Sequence, residues 1–341
     1  MSLNLAVCGA GAFGRNHIRV YRALEASSGV HLAAIVEPDE QRVRALAAEW
    51  AEASGEVQPR FFPNVAAMLD AVQRGELQVN AASVCVPTSA HCAVASQLLE
   101  AGVHVLVEKP IAGTLEEADQ LIALAAKHQR VLQVGHLERF NPAVLALAPL
   151  LRGPMFFEAH RLSVFSPRSL DVDVVLDLMI HDLDIVLTLA QSPVEEVRAV
   201  GLPILSAKTD IANVRVQFAS GCVANFTASR VSTERVRKLR FFQPHQYISV
   251  DYARQDLLVI EVQPAGGSEA AHPPDALPSL SMDKPVVTPG EPLRLEIESF
   301  LHAISNNVEP AVTGAQAREA LSLALTIQNA IATHAARPGL A

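Results

Sequence analysis

The chain has 341 residues, half of them apolar and 18% charged, with a formal net charge of −9 at pH 7. That length suits two ordinary domains with a real core, and the acidic balance argues against nucleic acid or an anionic membrane as the main partner. No uninterrupted apolar run reaches the roughly 18–20 residues of a membrane span, and the N-terminus enters a strand at once without a basic leader, so a cytoplasmic protein is expected. Cys8, Cys85, Cys92 and Cys222 form no CxxC pair, which fits free thiols in a reducing compartment.

Up to residue 135 strand and helix signals alternate. Leu3 to Cys8 reads as a strand, Phe13 to Ala26 as a helix, His31 to Val36 as a strand and Asp39 to Ala53 as a helix. Val65 to Arg74 is a short helix and Val79 to Val86 a strand; Ser89 to Ala101 is helical, with Gly102 at its C-cap. His104 to Val107, Thr114 to His128 and Val131 to Val134 follow as strand, helix and strand. Continuous apolar strands separated by helices imply a parallel sheet covered on both faces, and right-handed crossovers make it doubly wound.

After residue 135 the pattern changes. Asn141 to Leu151 and Val172 to Gln191 read as helices. Six strands then come in succession: Val197 to Leu202, Ile211 to Phe218, Cys222 to Ser229, Val236 to Phe242, Tyr247 to Tyr252 and Leu257 to Val262. Ser220-Gly221 is a hairpin signal. Pro264 to Pro292 reads as a loose surface loop, and Leu295 to Asn306 and Ala315 to Thr333 as closing helices. The fold class is therefore α/β: a Rossmann-type domain over residues 1–135, then an α+β domain over 136–341 with a large, mostly antiparallel sheet. One face of that sheet needs a cover, so a homodimer or homotetramer is expected.

Gly9-Ala10-Gly11-Ala12-Phe13-Gly14 sits between the first strand and the first helix, the context that makes GxGxxG a dinucleotide signal. Gly9 allows the tight turn, Gly11 the approach of a pyrophosphate, and Gly14 close packing of helix on strand; the free N–H groups at the helix start favour phosphate. Glu37 ends the second strand, where a carboxylate can take ribose hydroxyls and repel a 2′-phosphate. No arginine directly follows it, so NAD is expected over NADP. Pro87, Thr88 and His91 lie where the fourth strand meets its helix, a place for cofactor contact, although Thr88 or Ser89 can equally serve as an N-cap.

Glu108-Lys109-Pro110 follows a buried run. The proline restricts the backbone of both residues, so Lys109 reads as a fixed amine able to polarise a hydroxyl or carbonyl or pass protons. Asp173, Asp177, His181 and Asp184 share one face of a predicted, otherwise apolar helix. Burying acids there is costly unless the stripe lines a cleft; an exposed acidic stripe is the plain alternative. Histidine and aspartate at this spacing also suit zinc, but no second ligand cluster accompanies them, and no metal is expected.

Taken together, these residues resemble the glucose–fructose oxidoreductase / inositol dehydrogenase / MocA family over nearly the whole chain. The resemblance rests on GAGAFG, on Glu108-Lys109-Pro110, on Val134-Gly135-His136 through Arg139-Phe140-Asn141-Pro142, and on the helix with Asp177 and His181. It implies an NAD-dependent oxidoreductase with Lys109, Asp177 and His181 lining the substrate pocket beside the nicotinamide. It further implies cofactor contacts from Gly9, Gly11, Ala12, Phe13, Gly14, Glu37, Pro87, Thr88, His91 and Glu108. Substrate contacts are expected from Lys109, His136, Arg139, Asn141, Arg168, Asp177 and His181. Val134 to Pro142, Leu176 to Asp182 and Lys238-Leu239-Arg240-Phe241-Phe242-Gln243-Pro244 look more narrowly like bacterial UDP-N-acetylglucosamine 3-dehydrogenases of lipid A biosynthesis. The expected partner is thus a small sugar or nucleotide sugar, with Arg161, Arg168, Arg230, Arg235, Arg237 and Lys238 as candidate ligands of a diphosphate. Oxidation of inositol or a free sugar, and a non-catalytic NAD-dependent sensor, are the alternatives; intact Lys109, Asp177 and His181 argue against the sensor.

Overall fold

A computed structural model describes residues 3–52, 57–165, 172–263 and 279–337. The chain forms two compact units, Met1–Leu137 with Leu293–Arg318 and Glu138–Pro292 with Glu319–Ala341.

The first unit runs β1 (Leu3–Cys8), α1 (Ala12–Ser28), β2 (Val30–Val36), α2 (Glu40–Glu52), β3 (Arg60–Phe62), α3 (Val65–Gln73), β4 (Ala81–Val84), α4 (Thr88–Glu100), β5 (His104–Glu108), α5 (Leu115–His128) and β6 (Leu132–Gly135). All pairings are parallel, in the order β3-β2-β1-β4-β5-β6. The order reverses direction between β1 and β4, and ligands bind doubly wound sheets at that crevice. Local chemistry sets the helix ends. Asn64 Oδ1 accepts from Ala67 N, and Thr114 Oγ1 from Glu117 N. Glu116 and Glu117 lie in the first turn of α5 and Lys127 and His128 in its last, each matching the dipole end it meets.

A cut at 135/136 does not describe this unit. Leu293, Ile297, Phe300 and Leu301, from a late helix, join the core built by Leu5, Ile18, Tyr21, Leu24 and Ile35. The apolar stripe of that helix completes the first core, so the chain returns to it. β3, only three residues long, was not anticipated either.

After a 3-10 turn (Leu137–Phe140), the expected helix Asn141 to Leu151 is broken into the single turn α6 (Pro142–Leu145) and another 3-10 turn (Ala148–Leu150). Pro149 has no N–H to continue a helix. β7 (Phe156–Val164) follows, then a π-helical turn (Val175–Met179) leading into α7 (Ile180–Ala190). The remaining strands are β8 (Val194–Leu202), β9 (Ile211–Phe218), β10 (Val223–Ser232), β11 (Val236–Gln243), β12 (Gln246–Asp251), β13 (Asp256–Gln263) and β14 (Ser279–Asp283), before α8 (Pro292–Asn306) and α9 (Gly314–Ala335). The sheet has eight strands in the order β14-β13-β12-β11-β7-β10-β9-β8, antiparallel except for β7 beside β10. β7 and β14 were missed; β14 falls in the segment read as a loop, of which 264–278 lies outside the described residues. Alternation puts Phe157, Ala159, Phe226, Leu239, Phe241 and Val250 on the covered face, against Ile180 and Leu183 of α7 and Ala324 and Ile327 of α9.

Candidate active site

The glycine loop of the first unit has three different glycines. Gly9 has φ +91°, and a Cβ there would sit 2.8 Å from the Cys85 carbonyl oxygen. A Cβ on Gly14 would lie 1.9 Å from the Gly9 oxygen. These two close the turn and bring helix onto strand. Gly11 differs: a Cβ there would meet nothing within 4 Å. It is the N-cap of α1, and no side chain caps that helix. Open space in front of uncapped N–H groups is what a pyrophosphate needs. Ala12 and Phe13 open the helix, and Phe13 is 37% exposed.

Glu37 is buried; its Oε2 accepts from Ala10 N at 2.7 Å and its Oε1 from Asp39 N at 3.0 Å. The carboxylate therefore ties the end of β2 to the glycine loop. An arginine does stand near it: Arg42 Nη1 lies 3.5 Å from Glu37 Oε1, supplied by α2 rather than by the next residue. Beside them Ala10, Gly11, Ala12, Arg15, Asp39, Gln41, Arg42 and Ala45 line a cavity of about 430 Å³. It lies at the strand end where the adenosine ribose is held in this class of fold. These residues fit a dinucleotide.

At the ends of β4 and β5 two readings change. His91 is 1% exposed, with Nδ1 2.9 Å from the Pro110 oxygen and Nε2 2.9 Å from the Val86 oxygen. Both ring nitrogens face backbone carbonyls, so the ring joins two loops instead of offering a nitrogen to a cofactor. Glu108 also turns inward: its Oε1 is 2.9 Å from His17 Nε2. A Cβ on Gly135 would come within 2.8 Å of that same carboxylate, so the glycine makes room for it. Pro87 is the N-cap of α4 and no side chain caps that helix, so Thr88 does not have the capping role open to it in the sequence. Lys109 is partly buried at the end of β5, and its bond to Pro110 is cis.

In the second unit the helix with Asp177 and His181 is not one regular α-helix. Ile180 N–H bonds the Val175 carbonyl five residues back, a π turn, and such turns are frequent at functional sites. Asp177 lies inside that turn and is partly buried; His181 lies in the α-helix after it and is 9% exposed. The expected stripe of four does not hold. Asp173 Oδ1 accepts from Val175 N and Leu176 N, capping the turn, and its Oδ2 takes Gln328 Nε2. Asp184 is buried with Arg139 Nε 3.4 Å away.

Several expected substrate ligands are built into the protein. Arg139 also donates to Thr188 Oγ1. Asn141 caps Ala143 N and donates to the Tyr252 oxygen at 2.9 Å. Arg161 is 3% exposed and holds Asp182 through two bonds, 2.8 and 3.0 Å, and Glu138 through a third at 3.0 Å. Burial would lower its pKa, but the Asp182 and Glu138 carboxylates hold it above the usual arginine value. Arg230 is buried, donating to the Val172 oxygen. Arg139 and Asn141, expected as substrate contacts, and Arg161 and Arg230, expected as diphosphate ligands, are thus engaged within the protein. His136 is 1% exposed, within the first unit, and Arg168 lies outside the described residues.

The sequence reading passed over His17, Tyr21 and Ser83. Tyr21 Oη is 2.6 Å from Ser83 Oγ, which is 3.0 Å from His17 Nδ1. The available signal was a histidine and a tyrosine one helical turn apart on the apolar stripe of α1. His17, Cys85 and Glu108 bring ligand-type atoms within 4.8 Å of one another. Both nitrogens of His17 already have partners, so the group is a hydrogen-bond relay. The described cysteines are free thiols.

The parallel sheet, the glycine loop and the carboxylate at β2 define an NAD-binding Rossmann oxidoreductase. Residues 3–136 match the oxidoreductase family GFO_IDH_MocA, NAD-binding Rossmann fold, and residues 157–244 the GFO/IDH/MocA C-terminal domain. The chain is 37% identical over 330 residues to the UDP-N-acetylglucosamine 3-dehydrogenase of Acidithiobacillus ferrooxidans, covering 96% of this chain and 97% of that protein. It belongs to the GFO/IDH/MocA family. A solved structure of the A. ferrooxidans enzyme superimposes with a TM-score of 0.86 at 36% identity, over 99% of this chain and 100% of that one. An inositol 2-dehydrogenase of Corynebacterium glutamicum is 31% identical, over 58% of this chain and 56% of its own length. Levoglucosan dehydrogenase in complex with NADH shares the fold, with a TM-score of 0.80 at 18% identity over 98% of both chains.

Proposed function

We propose that this enzyme oxidises the 3-hydroxyl of UDP-N-acetylglucosamine with NAD. The carrying observation is 37% identity across 96% of the chain to an enzyme of that name; similarity to inositol 2-dehydrogenases spans only 58%. When bound, NAD supplies the acceptor for the hydride leaving the sugar carbon. Lys109 polarises the hydroxyl. His181, with Asp177 as its charge partner, takes the hydroxyl proton, so the carbon loses one hydride and its oxygen one proton.

With Arg161 and Arg230 committed to carboxylates and backbone, Arg235 and Arg237 are the candidates for the diphosphate among the described residues. Period-two alternation along β11 puts Arg237 on the face of Arg161, opposite it across the β11–β7 pair, and Lys238 on the other face with Arg240. Partial desolvation on the sheet and the neighbouring Arg161 charge lower the pKa of Arg237, whose side chain still reaches solvent, an arrangement that an anionic ligand would relieve.

The uncovered face supports self-association. Val223, Phe156, Phe242, Tyr247, Ile260 and Met282 stand directly opposite one another across successive strands. Phe242 is 39% exposed and Met282 68%, and a row of this kind marks an interface. A homodimer or homotetramer is therefore proposed. Phe242→Glu should shift it toward monomer in light scattering, and a wild-type monomer at micromolar concentration would refute the assignment. No helix among the described residues is long and apolar enough to cross a membrane, and free thiols support a cytoplasmic location.

A panel of nucleotide sugars, free sugars and cyclitols with NAD, followed by NADH absorbance, tests the substrate. UDP-N-acetylglucosamine should be preferred. A preference for inositol would replace the proposal, and no reduction with any of them would point to the sensor.

A further inference from the structure

We propose that His17 and His91 are positioning residues that hold the Lys109 turn from both sides. The inference rests on the reading of Lys109 as the group that polarises the hydroxyl. A lysine at a strand end is placed by its backbone, and the backbone at Lys109 has one neighbour on each side. Each neighbour is gripped by a buried imidazole. Glu108, before it, meets His17 Nε2 at 2.9 Å; the Pro110 carbonyl, after it, meets His91 Nδ1 at 2.9 Å. The two rings come from different helices, α1 and α4, and are 0% and 1% exposed.

Neither grip is incidental to packing. On the His17 side the hydrogens have one consistent direction. The Tyr21 hydroxyl donates to Ser83 Oγ, the Ser83 hydroxyl donates to His17 Nδ1, and His17 Nε2–H donates to Glu108 Oε1. Reversing the chain would leave the buried Tyr21 hydroxyl hydrogen without this acceptor, at the cost of an unmade bond. With His17 Nε2 facing its Oε1, the Glu108 carboxylate is held in the space that Gly135 leaves open. On the other side, His91 also reaches the Val86 oxygen at 2.9 Å. One rigid ring thus sets the spacing between the loop after β4 and the turn after β5. Glu108 is itself anchored by the parallel sheet, opposite Gly135 in β6, and Val86 follows the end of β4 by two residues. The turn between the two grips then has little freedom, which is what a reacting group needs: displacement by about 1 Å can cost roughly 100-fold in rate.

The test compares His17→Leu, His17→Gln, His91→Leu, His91→Gln, His91→Asn and Lys109→Met in the full-length enzyme. The measurements are kcat and KM with UDP-N-acetylglucosamine, NAD affinity and melting temperature. Lys109→Met should lose turnover. Both leucine variants should lose roughly 10- to 100-fold in kcat, with KM and NAD affinity within about threefold. The glutamine variants should recover much of the loss: at position 17 an amide offers an acceptor toward Ser83 and a donor toward Glu108, and at position 91 its NH2 group offers a donor to the Pro110 carbonyl; the shorter His91→Asn should recover less than His91→Gln. Should the leucine variants fail to fold, the Gln-against-Asn difference in kcat still decides. Unchanged kcat in both leucine variants, with Lys109→Met inactive, overturns the bracket and leaves Lys109 in place. Parallel losses of melting temperature, NAD affinity and kcat without rescue by glutamine overturn it in favour of a core role. An active Lys109→Met removes the role of the lysine itself, and the bracket falls with it.

Discussion

Arg161→Met separates two readings of the most deeply buried arginine among the described residues. The side chain makes three charge-assisted bonds, two to Asp182 and one to Glu138, and stands 5.3 Å over the Tyr252 ring. Asp182 is 2% exposed and Glu138 6%. Methionine fills much of the volume but leaves two carboxylates without their cation. Breaking a buried pair by removing one partner costs about 3–5 kcal/mol, chiefly through the charge left behind, and two stranded acids place this case at the upper end. At about 2–4 °C per kcal/mol for a unit of this size, the melting temperature of the second unit should fall by roughly 10–20 °C. Differential scanning calorimetry, with KM for UDP-N-acetylglucosamine measured well below the transition, reads both properties. Adding Asp182→Leu should recover part of the loss, since it removes one stranded charge. A melting temperature within about 2 °C of wild type together with a tenfold rise in KM would refute the reasoning and restore Arg161 as a substrate ligand.

Gly11→Leu should raise the KM for NAD at least tenfold without changing the melting temperature, because its side chain enters open space. Gly14→Ala should instead destabilise the first unit, its Cβ being 1.9 Å from the Gly9 oxygen; equal behaviour of the two would contradict the geometry. His181→Asn and Asp177→Asn should each slow the chemical step by roughly 100-fold or more, the scale of a lost general base. A single-turnover rate within threefold of wild type would remove that role from the residue concerned. Acid titration should show two opposite trends. Burial, with the Glu108 charge beside it, raises the Glu296 pKa well above its ordinary value, and neither oxygen has a hydrogen-bond partner among the described residues. The folded state keeps a proton that the unfolded state releases above about pH 4.5, so this group costs stability as pH rises, and Glu296→Gln should abolish that dependence in urea unfolding. Burial and then Arg130 lower His104 to about 4. The unfolded state binds that proton first, so stability is lost as pH falls from about 6.5 toward 4, and His104→Gln should flatten the acid side. No change in either slope would count against these assignments.

What could be read along the chain was what neighbouring residues decide together. GAGAFG between a strand and a helix needs only local backbone conformation and close packing to mean a dinucleotide loop, and the loop has the open Gly11 and crowded Gly14 that its pattern requires. Apart from the three-residue β3, the parallel strands of the first unit were legible because burial on both faces leaves continuous apolar runs. β7 was not, because its covered face carries Phe157, Ala159 and then Arg161. That arginine is tolerable in a core only because Glu138 and Asp182 come from elsewhere in the chain to meet it. The same holds for the site. Lys109, Asp177 and His181 stood out by type and spacing, but the regular helix assumed for the last two is broken by a π turn, and Asp173 and Asp184 are taken by Gln328 and Arg139. Likewise, nothing near Glu108 in sequence announces His17, 91 residues away. Nothing near Leu5 or Tyr21 announces the helix from Pro292 to Asn306 that completes their core. Periodicity and turn chemistry are carried by consecutive residues and survive in the sequence. The partner of a buried charge is chosen by the folded chain, which alone brings distant residues within hydrogen-bonding reach.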